Sequence, residues 1–412
     1  MIQSLLRTIG MNTTRGIIGA VIGDIAGSAR EFREPARPGF KLFTSESTFT
    51  DDSVLTVAVA DWLLHRDSLS AEAALLKWGR EYPHAGYGRG FKAFLKKGEK
   101  NPHGSTHNGS AMRVSAAGFL AGSLDEAMEL ARESALPSHD TPVAVAGAQA
   151  IAAAVYLART GASKEEIRSF ISGTFGYDLS RSLADVRADI GRRLELRRRD
   201  REAAHELLLS AGTTVPDALS AFLESGSYEE AVRNAVGLGG DADTYGAMAG
   251  AVAAAMWGVP EDIVLRALPY IPSDMLEVIN AADGTSWEPT GITPPNTRRW
   301  RKDDIVVYGC DRTGTVGEQG FHDVRPSMFN RHPNCGYPIH TIGESPDSIR
   351  EQVKVMMDRY AGKPGVRLLV REVGTGKAGY SAGDMAPMFA DALHAGNVLL
   401  PKSFLKVLKG RR

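Results

Sequence analysis

Cysteine is scarce: Cys310 and Cys335 are the only two in 412 residues. That excludes a disulfide framework and points to a reducing compartment, with the cytoplasm as the default. Long apolar runs are missing too. No stretch of about 18 apolar residues is free of charge, so no membrane span is expected. Met1 to Met11 carry one arginine and lack the apolar core of a signal peptide. Charge of one sign is not in excess either, since 48 Lys and Arg stand against 49 Asp and Glu, a formal net charge of −1. Neither nucleic acid nor an anionic membrane is indicated as the main partner. The most basic run, Arg192 to Arg201, interleaves acids with its arginines and reads as a solvated helix face.

What is present suffices for a large core. The chain is 43% hydrophobic and 24% charged, an ordinary globular composition. Its length exceeds the usual single domain, so two domains are expected. Met1 to Thr14 reads as a leader, 15–286 as a first domain, 287–300 as a Pro- and Thr-rich linker, and 301–412 as a second domain.

The first domain is organised around Leu238-Gly-Gly-Asp241-Ala-Asp243-Thr244-Tyr-Gly-Ala247, which precedes a helix without charged residues, Ala247 to Trp257. In a turn at a helix start, both carboxylates and the Thr244 hydroxyl can converge on one cation. Hard divalent cations want several oxygen ligands, so a second acidic cluster is needed. Thr50-Asp51-Asp52-Ser53 supplies it, again opening an apolar helix, Val54 to Leu64. For either cluster alone the plain reading is a helix N-cap, where Asp, Ser and Thr are favoured and acids complement the dipole. Two clusters of one chemistry at the mouths of two apolar helices favour metal binding.

These two stretches together resemble the paired signature of the ADP-ribosylglycohydrolase (ADP-ribosylhydrolase) family. Further matching stretches follow in order: Gly19 to Glu31, Asn108-Gly-Ser-Ala-Met-Arg113, Phe175-Gly-Tyr-Asp178 and Thr214 to Phe222. The resemblance spans roughly 15–272. It implies an all-α first domain with two cations, Mg²⁺ or Mn²⁺, since oxygen-only ligands disfavour zinc. Thr50, Asp51, Asp52 and Asp243 would hold one cation, and Asp241, Asp243 and Thr244 the other. It also implies that Glu31 sits beside the metals, that Gly104, Ser105, Thr106 and Asn108 hold ADP-ribose, and that His139 lies near the distal ribose. The implied reaction removes ADP-ribose from an ADP-ribosylated acceptor by cutting at the anomeric carbon of that ribose. Glu31, Asp51 or Asp52 would handle the proton, and the residues do not choose among them. Arginine, serine, a nucleic-acid base and a small molecule stay open as acceptors, as does the oligomeric state. A second class is a non-catalytic ADP-ribose-binding protein, and a third is a defence protein that reverses a toxin's ADP-ribosylation. Where the family has a glycine, this chain has His107, which tolerates positive φ poorly.

Taken in order, a small-residue helix is expected over 15–27, its glycines at 16, 19, 23 and 27 permitting close helix approach, since glycine otherwise costs a helix about 1 kcal/mol relative to alanine. Helices are expected over 71–82, 109–122, 142–159, 164–173, 182–210 and, as the last of the domain, 261–269, with 271–280 closing it. A helix start after the glycines of 104–109 could take a phosphate on its backbone N–H groups.

The second domain changes pattern. Strands are expected over 304–310, 337–342, 366–373 and 397–400, with a Gly/Thr turn over 311–320 and helices over 345–360 and 384–395. Alternation of this kind predicts a small parallel α/β layer. Gly374-Thr-Gly376-Lys-Ala-Gly379 matches the dinucleotide fingerprint without its acidic partner, leaving two readings, a phosphate- or nucleotide-binding loop and a plain strand-to-helix turn. The domain also resembles a small bacterial and phage α/β domain of uncharacterised function.

Overall fold

The structure, a computed structural model, describes residues 13–37, 39–98, 104–294, 296, 301–311 and 336–410. The leader up to residue 12, the turn expected at 312–320 and Cys335 lie outside them. The chain divides after Glu288 into two compact units.

The first unit is helical, with α1 Ile18–Ser28, α2 Asp51–Leu64, α3 Ala71–Glu81, α4 Arg89–Lys97, α5 Ser115–Leu120, α6 Leu124–Ala135, α7 Pro142–Thr160 and α8 Lys164–Phe175. They are followed by α9 Leu183–Arg199, α10 Arg201–Leu209, α11 Ala211–Leu223, α12 Tyr228–Gly237, α13 Ala242–Trp257, α14 Glu261–Ala267 and α15 Ser273–Asp283. Strands β1 Thr13–Thr14 and β2 Val259–Pro260 pair antiparallel. The core is built around α1, α2, α7 and α13, whose apolar residues are almost wholly buried. α7 is long and apolar enough to cross a membrane by length and composition, and over half of it is buried in this core.

The glycines of α1 explain its position. A Cβ on Gly23 would lie 1.9 Å from the Gly246 carbonyl oxygen, and one on Gly27 would lie 2.2 Å from the Ala242 oxygen. At Gly19 the obstacle is the Ala254 methyl, at 2.3 Å. α1 and α13 therefore cross backbone to backbone, which only glycine permits. Gly16 serves another purpose, giving room to the Asp283 carboxylate, which accepts from Ile17 N at 2.7 Å and Ile18 N at 3.1 Å at the start of α1.

Three helix boundaries differ from expectation. The stretch expected as one helix over 182–210 is two, because the Asp200 side chain accepts from Glu202 N and Ala203 N and starts a new helix. The helix expected from Gly109 begins at Ser115, after a single 3₁₀ turn at Asn108–Ser110. α13 begins at Ala242, five residues before the expected start, so Asp243 and Thr244 lie in its first turn.

Among the described residues of the second unit four parallel strands, β3 Asp304–Cys310, β4 Gly336–His340, β5 Arg367–Val370 and β6 Val398–Leu399, run in the order β4-β3-β5-β6. Strand β3 is buried along its whole length between β4 and β5, so its residues read as an apolar run without alternation. Helices α16 Pro346–Tyr360, α17 Ala382–Met385 and α18 Lys402–Lys409 accompany the sheet. Part of the stretch expected as a linker is bonded within this unit, since Thr293 N donates to Leu400 O and Leu400 N to Gly291 O. The long helix expected after the Gly374 turn is instead four residues of α17 and a 3₁₀ segment, Ala386–His394.

Candidate active site

Two turns and two helix starts converge in the first unit. After α1 the chain turns at Glu31 and Phe32, and Phe32 takes a left-handed φ of 55°, the one non-glycine among the described residues to do so. Phe32 N donates to Gly240 O, and Gly240 N donates back to Arg33 O. Gly239 and Gly240, at φ of 80° and 63°, let the opposing strand of this contact turn sharply into α13. The exchange holds Glu31 against Asp241 and Asp243.

Carboxylate oxygens of Glu31, Asp241 and Asp243 lie within 4.8 Å of one another, as do those of Asp24, Asp52 and Asp243. Asp243 belongs to both groups. Asp24 was not among the residues expected here. Its Oδ2 accepts from Thr50 N at 2.8 Å, from Ser53 N at 3.1 Å and from the Ser53 hydroxyl, so it caps α2 from a neighbouring helix. A lone carboxylate in the otherwise apolar, glycine-rich stretch of α1 was the signal for it.

Thr50 is the N-cap of α2 in the ordinary sense, accepting from Asp52 N. Its hydroxyl lies 2.7 Å from Asp24 Oδ1 and 3.1 Å from Asp52 Oδ2. Asp241 stands at the N-cap of α13 but makes no capping bond. One of its oxygens, Oδ2, takes the Asn108 amide at 2.6 Å, and the Thr244 hydroxyl bonds both Asp241 and Asp52. The acids at α13 are thus turned toward one another and toward the cleft, which capping does not require.

Burial raises the Asp52 carboxyl well above its ordinary value, with Asp24 and Asp51 adding to the effect. Burial and then Glu31 do the same for Asp243, and push Asp241 up to about 7. A set of acids so crowded is costly unless a cation compensates it. The residues fit a divalent cation in two respects. The donors are all oxygen, as hard cations require, and the buried Asp52 Oδ1 has no hydrogen-bond partner among the described residues.

These groups open into a cleft of about 650 Å³ lined by Glu31, Asp51, Asp52, Asp241, Asp243 and Thr244 at one end. Gly104, Ser105, Thr106, Asn108 and His139 also line it, while Thr50 lies behind, wholly buried. Every residue expected at the site is therefore brought to one place. Gly104 takes φ of 68°, whereas His107 sits at an ordinary φ of −72°, so the substitution of a glycine there strains nothing. His107 Nε2 lies 3.1 Å from Glu206 Oε2, and the Thr106 hydroxyl donates to the same carboxylate, tying the loop to α10. Arg89 of α4 lies on the rim, within the glycine-rich stretch 82–91 that the family resemblance sets beside the substrate cleft; Glu202, His205 and Glu206 of α10 complete it, and nothing in the polar sequence around those three marks them.

His139 is held from behind. Arg113 is fully buried and has no carboxylate partner among the described residues; Nη2 donates to Ser134 O at 2.5 Å and Ser138 Oγ at 3.0 Å. Burial lowers the Arg113 pKa to about 9. Ser138 Oγ in turn lies 2.9 Å from His139 Nδ1. Arginine can only donate, so Ser138 Oγ accepts from Arg113 and has its own proton available to His139 Nδ1. A neutral His139 then carries its proton on Nε2, beside Gly109 at the cleft wall.

The family model for ADP-ribosylglycohydrolase matches residues 11–287. The chain belongs to the ADP-ribosylglycohydrolase family. Membership places it among hydrolases, and residues from 288 onward lie outside the match. ADP-ribosylhydrolase ARH3 of Homo sapiens is 27% identical over 329 residues, covering 63% of this chain and 90% of that protein. The uncharacterized protein YegU of Escherichia coli (strain K12) is 30% identical over 257 residues, covering 55% of this chain and 76% of that one. A solved structure described as an ADP-ribosylglycohydrolase-related protein complex is 24% identical, with a TM-score of 0.47 over 66% of this chain and 96% of that chain.

Proposed function

We propose that the protein is a metal-dependent hydrolase that frees ADP-ribose from an ADP-ribosylated acceptor by cutting at the anomeric carbon of the distal ribose. The observation that carries this reading is the sharing of Asp243 between two groups of three carboxylates at the end of a cleft. Asp24, Asp52 and Asp243 would hold one divalent cation, Mg²⁺ or Mn²⁺, and Glu31, Asp241 and Asp243 the other, with Asp51 and Thr244 alongside. Such a pair supplies Lewis acidity toward sugar hydroxyls and water. The likeness to proteins named ADP-ribosylhydrolase supports ADP-ribose as the leaving sugar.

The chain's own residues do the rest. Cleavage at an anomeric carbon builds oxocarbenium character, and the carboxylates at this end of the cleft stabilise that charge. Glu31 and Asp51 are the acids least enclosed there, so one of them takes or relays the proton. The loop of Gly104 to Asn108 would cradle ADP-ribose, and His139 would donate from Nε2 to a ligand oxygen. Asn108 serves by holding Asp241 in orientation.

Asp243→Ala tests the shared position. Hydrolysis of ADP-ribosylated substrates in Mg²⁺ should fall by at least about 10³-fold, with the fold intact by circular dichroism. Removal of one of several crowded acids should leave the metal-free melting temperature unchanged or higher. Wild-type turnover by this variant would rule out the shared-ligand assignment.

A further inference from the structure

A second depression adjoins the cleft. About 710 Å³ in volume, it is lined by Phe32, Arg33, Glu34, Leu194, Arg197, Arg198 and Arg201. Phe32 is common to both walls. It follows Glu31 in the chain, so the shared wall stands at the acidic end of the cleft. Four arginines face one glutamate here, and their engagements differ. Arg33 pairs with Glu46 at 2.8 Å, and Arg198 is divided between Glu34 and Glu195. Arg197 and Arg201 have no carboxylate partner among the described residues. The Arg197 guanidinium lies over the Phe32 ring at 4.3 Å, a stacking that orders the cation while leaving its N–H edge for a ligand.

The solvated-face reading of Arg192 to Arg201 holds for part of the run. Arg192, Arg193, Arg198 and Arg199 all meet carboxylates. Arg197 and Arg201 are the exceptions, and both line the depression beside the cleft together with the paired Arg198. On the hydrolase reading, the bond cut lies at the acidic end, so the acceptor leaves past Phe32. This inference rests on that reading for the position of the acceptor. An arginine-bearing acceptor would be repelled on such a shelf. A phosphate would be drawn to it, because guanidinium groups bind phosphate oxygens with strong, charge-assisted hydrogen bonds.

We infer that Arg197 and Arg201, with the Phe32 ring between them and the cleft, bind a phosphate group carried by the acceptor next to the bond that is cut. The phosphate can belong to an oligonucleotide or to a second ADP-ribose unit, and one experiment separates the two. Three compounds are given to the full-length protein in Mg²⁺: an ADP-ribosylated arginine peptide without phosphate, an oligonucleotide ADP-ribosylated on its terminal phosphate, and a dimer of ADP-ribose. The double variant Arg197→Gln/Arg201→Gln should raise KM about tenfold for whichever phosphate-bearing compound is the partner. It should change KM for the peptide less than about twofold, and added salt should weaken only the phosphate-bearing case. An equal effect on all three compounds, or none on any, overturns the subsite. If nothing is turned over, the hydrolase reading fails, and equilibrium binding of the same compounds judges the subsite separately. Equal affinity of wild type and variant for both phosphate-bearing compounds would then refute it.

Discussion

Asp243 and His139 are controlled by opposite means. Asp243 is surrounded by like charges and burial, so its carboxyl resists ionisation until a cation compensates it. His139 is surrounded by donors that dictate where its proton sits. Because Arg113 donates to Ser138, whose own proton is then available to Nδ1, the imidazole should be a fixed Nε2–H donor rather than a proton shuttle. Nitrogen-15 NMR of the histidines should show His139 Nδ1 unprotonated near neutral pH, and a protonated Nδ1 would refute the relay. Ser138→Ala should release the ring and raise KM for an ADP-ribosylated substrate by about tenfold, corresponding to loss of an oriented hydrogen bond worth about 1.5 kcal/mol. Ser138→Thr, which keeps the hydroxyl, should restore most of the loss.

The decisive arrangement among elements is the crossing of α1 over α13. It brings Asp24 to Asp52 and Asp243, and its closeness is set by glycines whose added Cβ would strike main-chain atoms. Backbone cannot rotate out of the way as a side chain can. Gly23→Ala should therefore cost at least about 3 kcal/mol in urea unfolding, the upper end for overpacking. Mg²⁺ affinity should fall with it, because the two helices must separate. The same substitution at Gly161, which has no neighbour near its Cβ position, supplies the comparison, since it tests only the cost of a left-handed φ of 97°. Near-wild-type stability of Gly23→Ala would show that α1 does not pack as described.

For the molecule as a whole, buried acids link stability to pH. Burial pushes both Asp241 and Asp283 up to about 7. A raised pKa means that the folded form holds protons the unfolded form has already lost. Their contribution is therefore full below the unfolded value near 4 and is lost as pH rises toward 7. The metal-free protein should lose stability over that window from these two groups. Added Mg²⁺ should raise the melting temperature more at pH 8 than at pH 5, because the cation displaces the Asp241 proton. An equal shift at both pH values would speak against Asp241 as a ligand. Asp283→Asn should remove its share of the pH dependence without altering the Mg²⁺ effect. Since the family match ends at 287 and the compact unit at Glu288, a chain ending there should fold and hydrolyse alone. Insolubility or inactivity of that shorter chain would make the second unit an obligate partner.

Sequence by itself determined the two acidic clusters, the glycine spacing of α1, the Thr50 cap, and the all-α first part followed by parallel α/β strands. These are local matters, set by side-chain chemistry over a few residues and by the period of helix and strand. Tertiary structure alone decided which of those groups meet. Asn108 reaches Asp241 across 133 residues of chain, and Thr50 reaches Asp24 across 26. Both contacts depend on where helices cross, and no spacing within one segment encodes that. Phe32 is a further case: its left-handed backbone follows from the exchange of hydrogen bonds with Gly240, and its own neighbours gave no sign of it. The break at Asp200 is the reverse case. The cap there is local, Asp200 accepting from Glu202 N and Ala203 N, yet the helix expected over 182–210 ran through it because the residues on both sides favour helix.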